Sequence, residues 1–151
     1  MKGEKPSCHD IIPVDMGDQS AGPSETELRR LLAFRDGLRR FLRWSEDQAR
    51  MVGLTGPQHQ LLLAIRGHGS APSVRDVADH LLLRHHSAVE LVDRAVRGGL
   101  VRRVADPADQ RVVRLELLPA GDAKLAALSA AHYEELSRLR SRFESLWAEL
   151  P

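Results

Sequence analysis

Cysteine is almost absent from this chain, since Cys8 is the only one among 151 residues. A single thiol excludes an internal disulfide and cannot by itself build a thiolate zinc site. Cys8 lies within residues 1–23, which show no apolar periodicity and contain several prolines and glycines. We therefore predict a flexible arm over residues 1–23 and no redox role for Cys8.

Long apolar runs and a strong net charge are missing too. No apolar stretch approaches the roughly 18 to 20 residues that span a bilayer. The first residues also lack the positive start and apolar core of a secretory signal, so we expect a cytoplasmic protein. The formal net charge of +1 does not by itself indicate nucleic-acid binding, so the distribution of the charges has to decide.

The motifs of common catalytic sites are absent as well. The sequence has no glycine-rich phosphate loop, no Gly-x-Ser-x-Gly elbow and no His-Glu-x-x-His pair, so we expect neither catalysis nor a cofactor. Several histidines raise the alternative of a metal site, but no carboxylate completes a recognised ligand pattern with them. We predict no metal site from these histidines, which are His59, His68, His80, His85 and His86.

Helical periodicity dominates the chain after the arm. A helix entry at Ser24 is followed by an apolar stripe, which predicts a long helix that ends before Gly53. Thr55 and Ser73 open two short helices in the same way, each with a capping partner three residues later. The inward stripe of the third helix is predicted to contain Val74, Val77, Ala78, Leu81 and Leu82.

A fourth helix is predicted from Arg84 to Arg97 and ends at Gly98. After it, the apolar residues no longer recur at helical spacing. Residues 100–104 and 112–117 are β-branched and partly alternating, and the polar turn between them predicts a hairpin. Residues 119–121 are predicted to close this hairpin. From Asp122 to Leu150 apolar residues recur at threes and fours, which predicts a final helix of about eight turns.

The order of these elements predicts a mainly α fold with a small β-hairpin wing. Two short helices joined by a tight turn and followed by a hairpin form a winged helix-turn-helix, whose second helix enters the major groove of DNA. We assign this lobe to residues 54–118. The flanking helices, in residues 24–53 and 119–151, have more apolar surface than one lobe covers. This favours a homodimer over the alternative, in which the long helix is an unpaired rigid spacer.

Several stretches of this lobe resemble the MarR family of bacterial regulators. The most diagnostic is the run Asp106-Pro107-Ala108-Asp109-Gln110-Arg111, which begins five residues after Gly99-Leu100-Val101 and is followed by a strand and Pro-x-Gly. The resemblance extends over about residues 28–150. It implies a homodimeric transcriptional regulator, more often a repressor, that binds an inverted-repeat operator and is released by a small aromatic or amphiphilic ligand. The other stretches that carry it are Val77–Leu81, Leu91–Arg94, Gly99–Arg103 and Leu115–Gly121.

The fourth helix is the predicted readout helix. Segment 84–114 contains seven arginines against four carboxylates, a balance of +3 that exceeds the charge of the whole chain. Polar side chains on the outer face can meet base edges, because Ser and His donate to purine acceptors and Glu accepts from cytosine. The predicted contacts are Arg84, His85, His86, Ser87, Glu90 and Arg94. Relatives usually have other residues at 84–86, so base preference cannot be transferred from them.

The hairpin supplies a second predicted contact. Arg111 stands at the tip of the wing, where an arginine can enter a narrow minor groove. Asp109 is predicted to orient Arg111 or a neighbouring arginine, and Arg114 is the third predicted wing contact. An ordinary ion pair within the turn is the alternative interpretation.

An effector would lie in the cleft between the long helices and the lobe, near Trp44, Met51 and His68. The effector would change DNA binding only if its affinity differed between the dimer whose two lobes are spaced for DNA and a dimer with another spacing of the lobes. A competing hypothesis is a winged module that binds proteins rather than DNA. The basic readout segment and Arg111 argue against that hypothesis.

Overall fold

The computed structural model describes residues 22–148, without the side chains of Arg142, Leu146 and Trp147. The greater part of the predicted arm, with Cys8, and the last residues of the predicted final helix lie outside the described residues. The elements are α1 (Glu25–Met51), α2 (Gly56–Gly67), α3 (Val74–His80), α4 (His85–Arg97), β1 (Val101–Ala105), β2 (Val113–Leu117) and α5 (Pro119–Trp147).

The first three helices begin where the sequence predicts. At each start a hydroxyl side chain accepts the backbone N–H three residues later, and the side chain of that later residue accepts the N–H of the cap. These reciprocal bonds satisfy two donors that the helix itself leaves unpaired. The three capping pairs are Ser24 with Glu27, Thr55 with Gln58, and Ser73 with Asp76.

The end of α3 corrects one prediction. Leu82 was expected in the inward stripe of this helix, but it is 81% exposed. Its φ of 52° places it in the left-handed region. The N–H of Leu83 donates to the carbonyl of Ala78 at 2.9 Å, so the helix ends at His80 with Leu81 as its C-cap. This is the geometry of a Schellman ending, so Leu82 takes the position that glycine usually fills.

The two strands begin one residue later than predicted. The N–H of Leu100 donates to the carbonyl of Ala95 at 3.0 Å, so it caps α4 and is not available to the sheet. The N–H of Val112 is likewise used inside the turn, where it donates to the carbonyl of Asp109 at 2.9 Å. The hairpin is antiparallel, with Val101 opposite Leu117 and Ala105 opposite Val113.

The start of α5 corrects another prediction. Residues 119–121 were expected to close the hairpin, but they form the first turn of this helix. Pro119 fits the first helical position because its missing N–H would have no partner there. Gly121 brings the helix against the hairpin, since a Cβ on it would lie 2.3 Å from the carbonyl oxygen of Leu100. This contact fixes where the long helix leaves the lobe.

The hydrophobic core lies between α2, α3, α4 and the hairpin, and α5 covers it with Leu125 and Leu128. The predicted inward face of α4 is confirmed, because Ala88, Leu91, Val92 and Ala95 are buried. None of the helices described between residues 22 and 148 is long and apolar enough to cross a membrane. The largest fully buried aliphatic side chains are Leu61, Leu62, Leu115, Val77, Val92 and Val101.

The long helices α1 and α5 pack on each other through Phe34 and Phe143, whose rings meet edge to face at 5.8 Å. Much of the predicted apolar stripe of α1 faces away from this contact. Within the part of the chain that the structure describes, five leucines of this helix remain exposed, and they are Leu28, Leu31, Leu32, Leu38 and Leu42.

Candidate nucleic-acid interface

The outer face of α4 is open to solvent. Arg84 is the N-cap, and its side chain makes no capping hydrogen bond. His85, His86, Glu90 and Arg94 are exposed, whereas Ser87 is partly buried. The face that the sequence predicts for base readout is therefore accessible, because the four small and aliphatic residues of the opposite face hold the helix on the core.

The basic residues near this helix divide into two groups. Three arginines are bound to carboxylates, and all three belong to the hairpin. Such surface pairs contribute little stability, but they neutralise and hold the guanidinium groups. The pairs are Arg102 with Glu116 at 2.6 Å, Arg103 with Asp93 at 2.7 Å, and Arg114 with Asp106 at 2.6 Å.

The second group consists of arginines that have no ion pair with any residue described between 22 and 148. Their positive charge is uncompensated and exposed, so it is available to a polyanion. Arg84, Arg94 and Arg111 were predicted as contacts, whereas Arg75 and Arg97 were not. This group is Arg75 on α3, Arg84, Arg94 and Arg97 on α4, and Arg111 in the wing.

The wing turn is built by two aspartates. Asp106 accepts the backbone N–H of Ala108 at 2.7 Å and that of Asp109 at 3.2 Å. Asp109 in turn accepts the backbone N–H of Arg111 at 3.0 Å. Asp109 thus orients Arg111 through its main chain, and the guanidinium of Arg111 remains exposed. This is a turn-forming role of Asp.

Arg114 links the wing to α3. Its Nε donates to Asp106 at 2.6 Å, and its Nη1 lies 3.7 Å from Asp76. The bond from Arg114 and those from the turn amides lower the pKa of Asp106, so its carboxylate stays charged. Arg114 also forms an isolated β-bridge with Ser73. The structure therefore gives Arg114 a positioning role, and its predicted contact with DNA stays a prediction.

Asp76 receives several bonds. Burial raises the pKa of this carboxyl, but the bonds from Ser73 and the charges of His68 and Arg114 outweigh that effect and lower the pKa. His68 lies against His80, with His68 Nδ1 2.8 Å from His80 Nε2. Among residues 22–148 no three His, Cys, Asp or Glu side chains come together as metal ligands.

The three residues predicted near an effector lie in different surroundings. Trp44 packs against the ring of His132, Met51 is 79% exposed at the end of α1, and His68 contacts α3 through His80. Two surface cavities, of about 650 and 420 Å³, are lined by other residues. The larger cavity lies between α2, β2 and the start of α5, and Arg66 and Asp122 stand in its wall.

Arg75 and Arg97 are not among the contacts predicted from the sequence, because the ion pairs that an arginine forms across the fold cannot be read from spacing. Arg75 has Asp79 at a helical i,i+4 position, yet the two do not pair in the structure. Asp76 was recognised as a capping residue, but its ion pair with Arg114 of the wing joins distant parts of the chain. No local signal announces either fact.

The chain is similar to proteins described as MarR family members and as HTH-type transcriptional regulators. The sequence profile of the MarR family matches residues 52–112. An uncharacterized HTH-type transcriptional regulator of Bacillus subtilis (strain 168), YsmB, is 35% identical over 77 residues. That alignment spans 51% of this chain and 51% of the relative, so the chain matches about half the length of that protein.

Solved structures share the fold. A MarR family protein from Bacillus stearothermophilus has a TM-score of 0.65 at 26% identity, over 76% of this chain and 77% of that one. A MarR family transcription regulator has a TM-score of 0.69 at 21% identity, over 82% and 81% of the two chains. Staphylococcus aureus MepR in its DNA complex has a TM-score of 0.62 at 18% identity, over 71% and 78%.

Proposed function

We propose that the chain is a MarR-family transcriptional regulator that binds double-stranded DNA in a sequence-specific manner as a homodimer, and its similarity to that family over residues 52–112 supports this. The observation that carries the proposal is that some arginines near α4 are paired with carboxylates and others are not. Arg84, Arg94 and Arg97 on α4 and Arg111 at the wing tip are exposed without ion pairs within the described residues, whereas three other hairpin arginines are held by carboxylates. Exposed cations without ion pairs therefore lie on α4 and on the wing, which are the two elements that a winged helix presents to DNA.

Readout of sequence is assigned to the outer face of α4. His85, His86 and Glu90 are exposed there, and Ser87 lies at the edge of the buried face. In a major groove these side chains can pair with purine acceptors and with the cytosine amino group. Arg84 and Arg94 flank them and fix the register through phosphates.

The wing is assigned to the minor groove. Its tip carries Arg111, and the turn that presents it is held by Asp106 and Asp109. Because Arg114 ties this turn to α3 through Asp76, the tip keeps its position relative to α4. A wing fixed in this way can place a guanidinium in a narrow groove without a further ordering cost.

Dimerisation is assigned to the uncovered leucines of α1 together with α5. Five large aliphatic side chains exposed along one helix exceed what a monomer usually leaves in water. A two-fold dimer would cover them and place two readout helices about one turn of DNA apart, which matches an inverted-repeat operator. Residues 54–118 form the DNA-binding lobe in this arrangement.

The regulator is proposed to act in the cytoplasm as a repressor. Release by an aromatic or amphiphilic ligand is proposed at the junction of lobe and long helices, near Trp44, Met51 and His68. Such a ligand has to prefer one spacing of the lobes, because equal affinity for both spacings shifts no population.

Selection of bound duplexes from a random pool tests this function. The expected product is an inverted repeat, and alanine at Ser87 and Glu90 should relax the preference within each half-site. Alanine at Glu134, an exposed residue of α5 paired with Arg138, is the matched control and should leave the preference unchanged. Failure to enrich any sequence, together with salt-insensitive binding, would favour the protein-interaction module.

A further inference from the structure

Two histidines meet where the winged lobe packs on the long helices. His59 belongs to α2 and is 6% exposed, and its ring lies 4.8 Å from the ring of His132 on α5. The two residues are far apart in the sequence, and nothing in the DNA interface uses them. We call them the His59–His132 pair.

The surroundings of the His59–His132 pair are neutral. On α1, Trp44 lies 4.9 Å and Phe41 5.9 Å from the ring of His132, measured between ring centroids. The Nδ1–H of His132 donates to the carbonyl of Leu128, because that oxygen can only accept. In the neutral state the hydroxyl of Ser45 therefore donates to Nε2, at 2.7 Å.

No carboxylate compensates a charge on His59. Its pKa is lowered first by burial and then by the positive charge of His132, and no other charge contributes. Three charged groups of the same helices have partners other than the pair. They are Glu46, which reaches Arg50, Glu135, which reaches Arg138, and Lys124, which donates to the carbonyl of Val52.

We propose that the His59–His132 pair is a proton-sensitive contact between the winged lobe and the long helices, and that proton uptake by the pair moves the lobe and weakens DNA binding. The DNA part of this inference rests on the proposed function. A proton on His59 places a positive charge at a buried ring that no carboxylate compensates, and a positive charge on the neighbouring His132 would raise this cost further. Separation of α2 from α5 admits water and relieves this cost, so acid favours a displaced lobe.

The predicted effect of acid on DNA affinity distinguishes this pair from the histidines of the readout helix. His85 and His86 lie on the readout face, and protons on them would strengthen attraction to phosphates. Protons on the His59–His132 pair have the opposite effect. The test therefore uses full-length protein in which His85 and His86 are both changed to Gln, so that the acid response of the pair is measured alone.

The first measurement needs no DNA. With Trp147→Phe added, Trp44 is the single tryptophan of the chain and stands beside His132. Titration from pH 8 to pH 5 at fixed ionic strength should give a red shift of its emission below pH 6.5, the ordinary histidine value. His59→Gln should abolish the red shift. His132 is then the one histidine of this contact, and a positive charge on it can be stabilised by the rings of Phe41 and Trp44. An unshifted emission in the unsubstituted pair overturns the inference.

The second measurement is DNA affinity over the same pH range. It should fall by about tenfold per pH unit below the transition for each proton taken up, and His59→Gln should remove this fall. His80→Gln is the control, since His80 forms the other histidine contact of the lobe, with His68. A fall that persists in His59→Gln, or a red shift without a fall, overturns the inference. Absence of DNA binding at pH 7.5 by the protein with native His85 and His86 contradicts the proposed function instead, and the emission of Trp44 then decides the inference alone.

Discussion

Replacement of Arg111 by Gln should lower the salt dependence of DNA binding in a way that can be calculated. Each phosphate that a cation neutralises contributes about 0.9 to the slope of log affinity against log salt. A dimer carries two copies of Arg111, so the slope should fall in magnitude by about 1.8. Over a fourfold rise in salt, the affinity advantage of the unsubstituted protein should then shrink by about tenfold.

Arg102→Gln is the matched control on the same hairpin. Arg102 is exposed too, but its guanidinium is bound to Glu116 at 2.6 Å. Its charge is already compensated, so its loss should leave the slope nearly unchanged. If each of the four unpaired arginines of α4 and the wing met one phosphate, they would together contribute about 7 to the slope of the unsubstituted dimer.

The assay is fluorescence anisotropy of a labelled duplex, titrated at several salt concentrations with all three proteins. Equal slopes for the unsubstituted protein and Arg111→Gln would show that the wing tip does not meet the DNA backbone. Equal losses of slope in Arg111→Gln and Arg102→Gln would refute the division of the arginines, because paired and unpaired charges would then act alike.

Three further predictions concern stability and are measured by denaturant unfolding. Gly121→Ala should destabilise the fold by about 1–3 kcal/mol, because the new methyl meets the carbonyl of Leu100 at 2.3 Å; Gly67→Ala, in open space, is its control, and equal effects would contradict the contact. Leu82→Gly should stabilise by up to about 1 kcal/mol, since it relieves a left-handed residue that is almost fully exposed; a loss of stability would show that the side chain packs. The pKa of Asp76 is lowered in the fold, so the stability it contributes is present above its ordinary value of 3.8 and is lost as pH falls through the folded value. The advantage over Asp76→Asn should accordingly disappear in acid, and an advantage that persists there would exclude the charge as its source.

The predictions that succeeded depend on local signals. Ser24, Thr55 and Ser73 each stand three residues before a partner that can complete a capping box, and all three boxes are formed. The inward face of α4 follows from spacings of three and four, since a helix brings such residues to one side. The hairpin follows from two β-branched, partly alternating segments that flank a polar turn.

The predictions that failed depend on how the ends of elements meet their neighbours. Leu82 fits the apolar stripe of α3, but the helix had already closed through Leu83 and Ala78. Pro119 resembles a residue of a turn, yet it opens α5 because the hairpin leads directly into that helix. The spacing of apolar residues describes a single helix or strand. It does not show where contact with a neighbouring element ends that helix or strand.

The sequence by itself determined the helices, the hairpin and the presence of an excess of arginine near the readout helix, because periodicity and capping act within a few residues. Only the tertiary structure decided which arginines keep a free charge, since Arg102, Arg103 and Arg114 find their carboxylates across the fold. It also brought His59 against His132, in a contact between helices that no spacing predicts. Ion pairs and buried contacts depend on distances in space, and folding alone sets those distances.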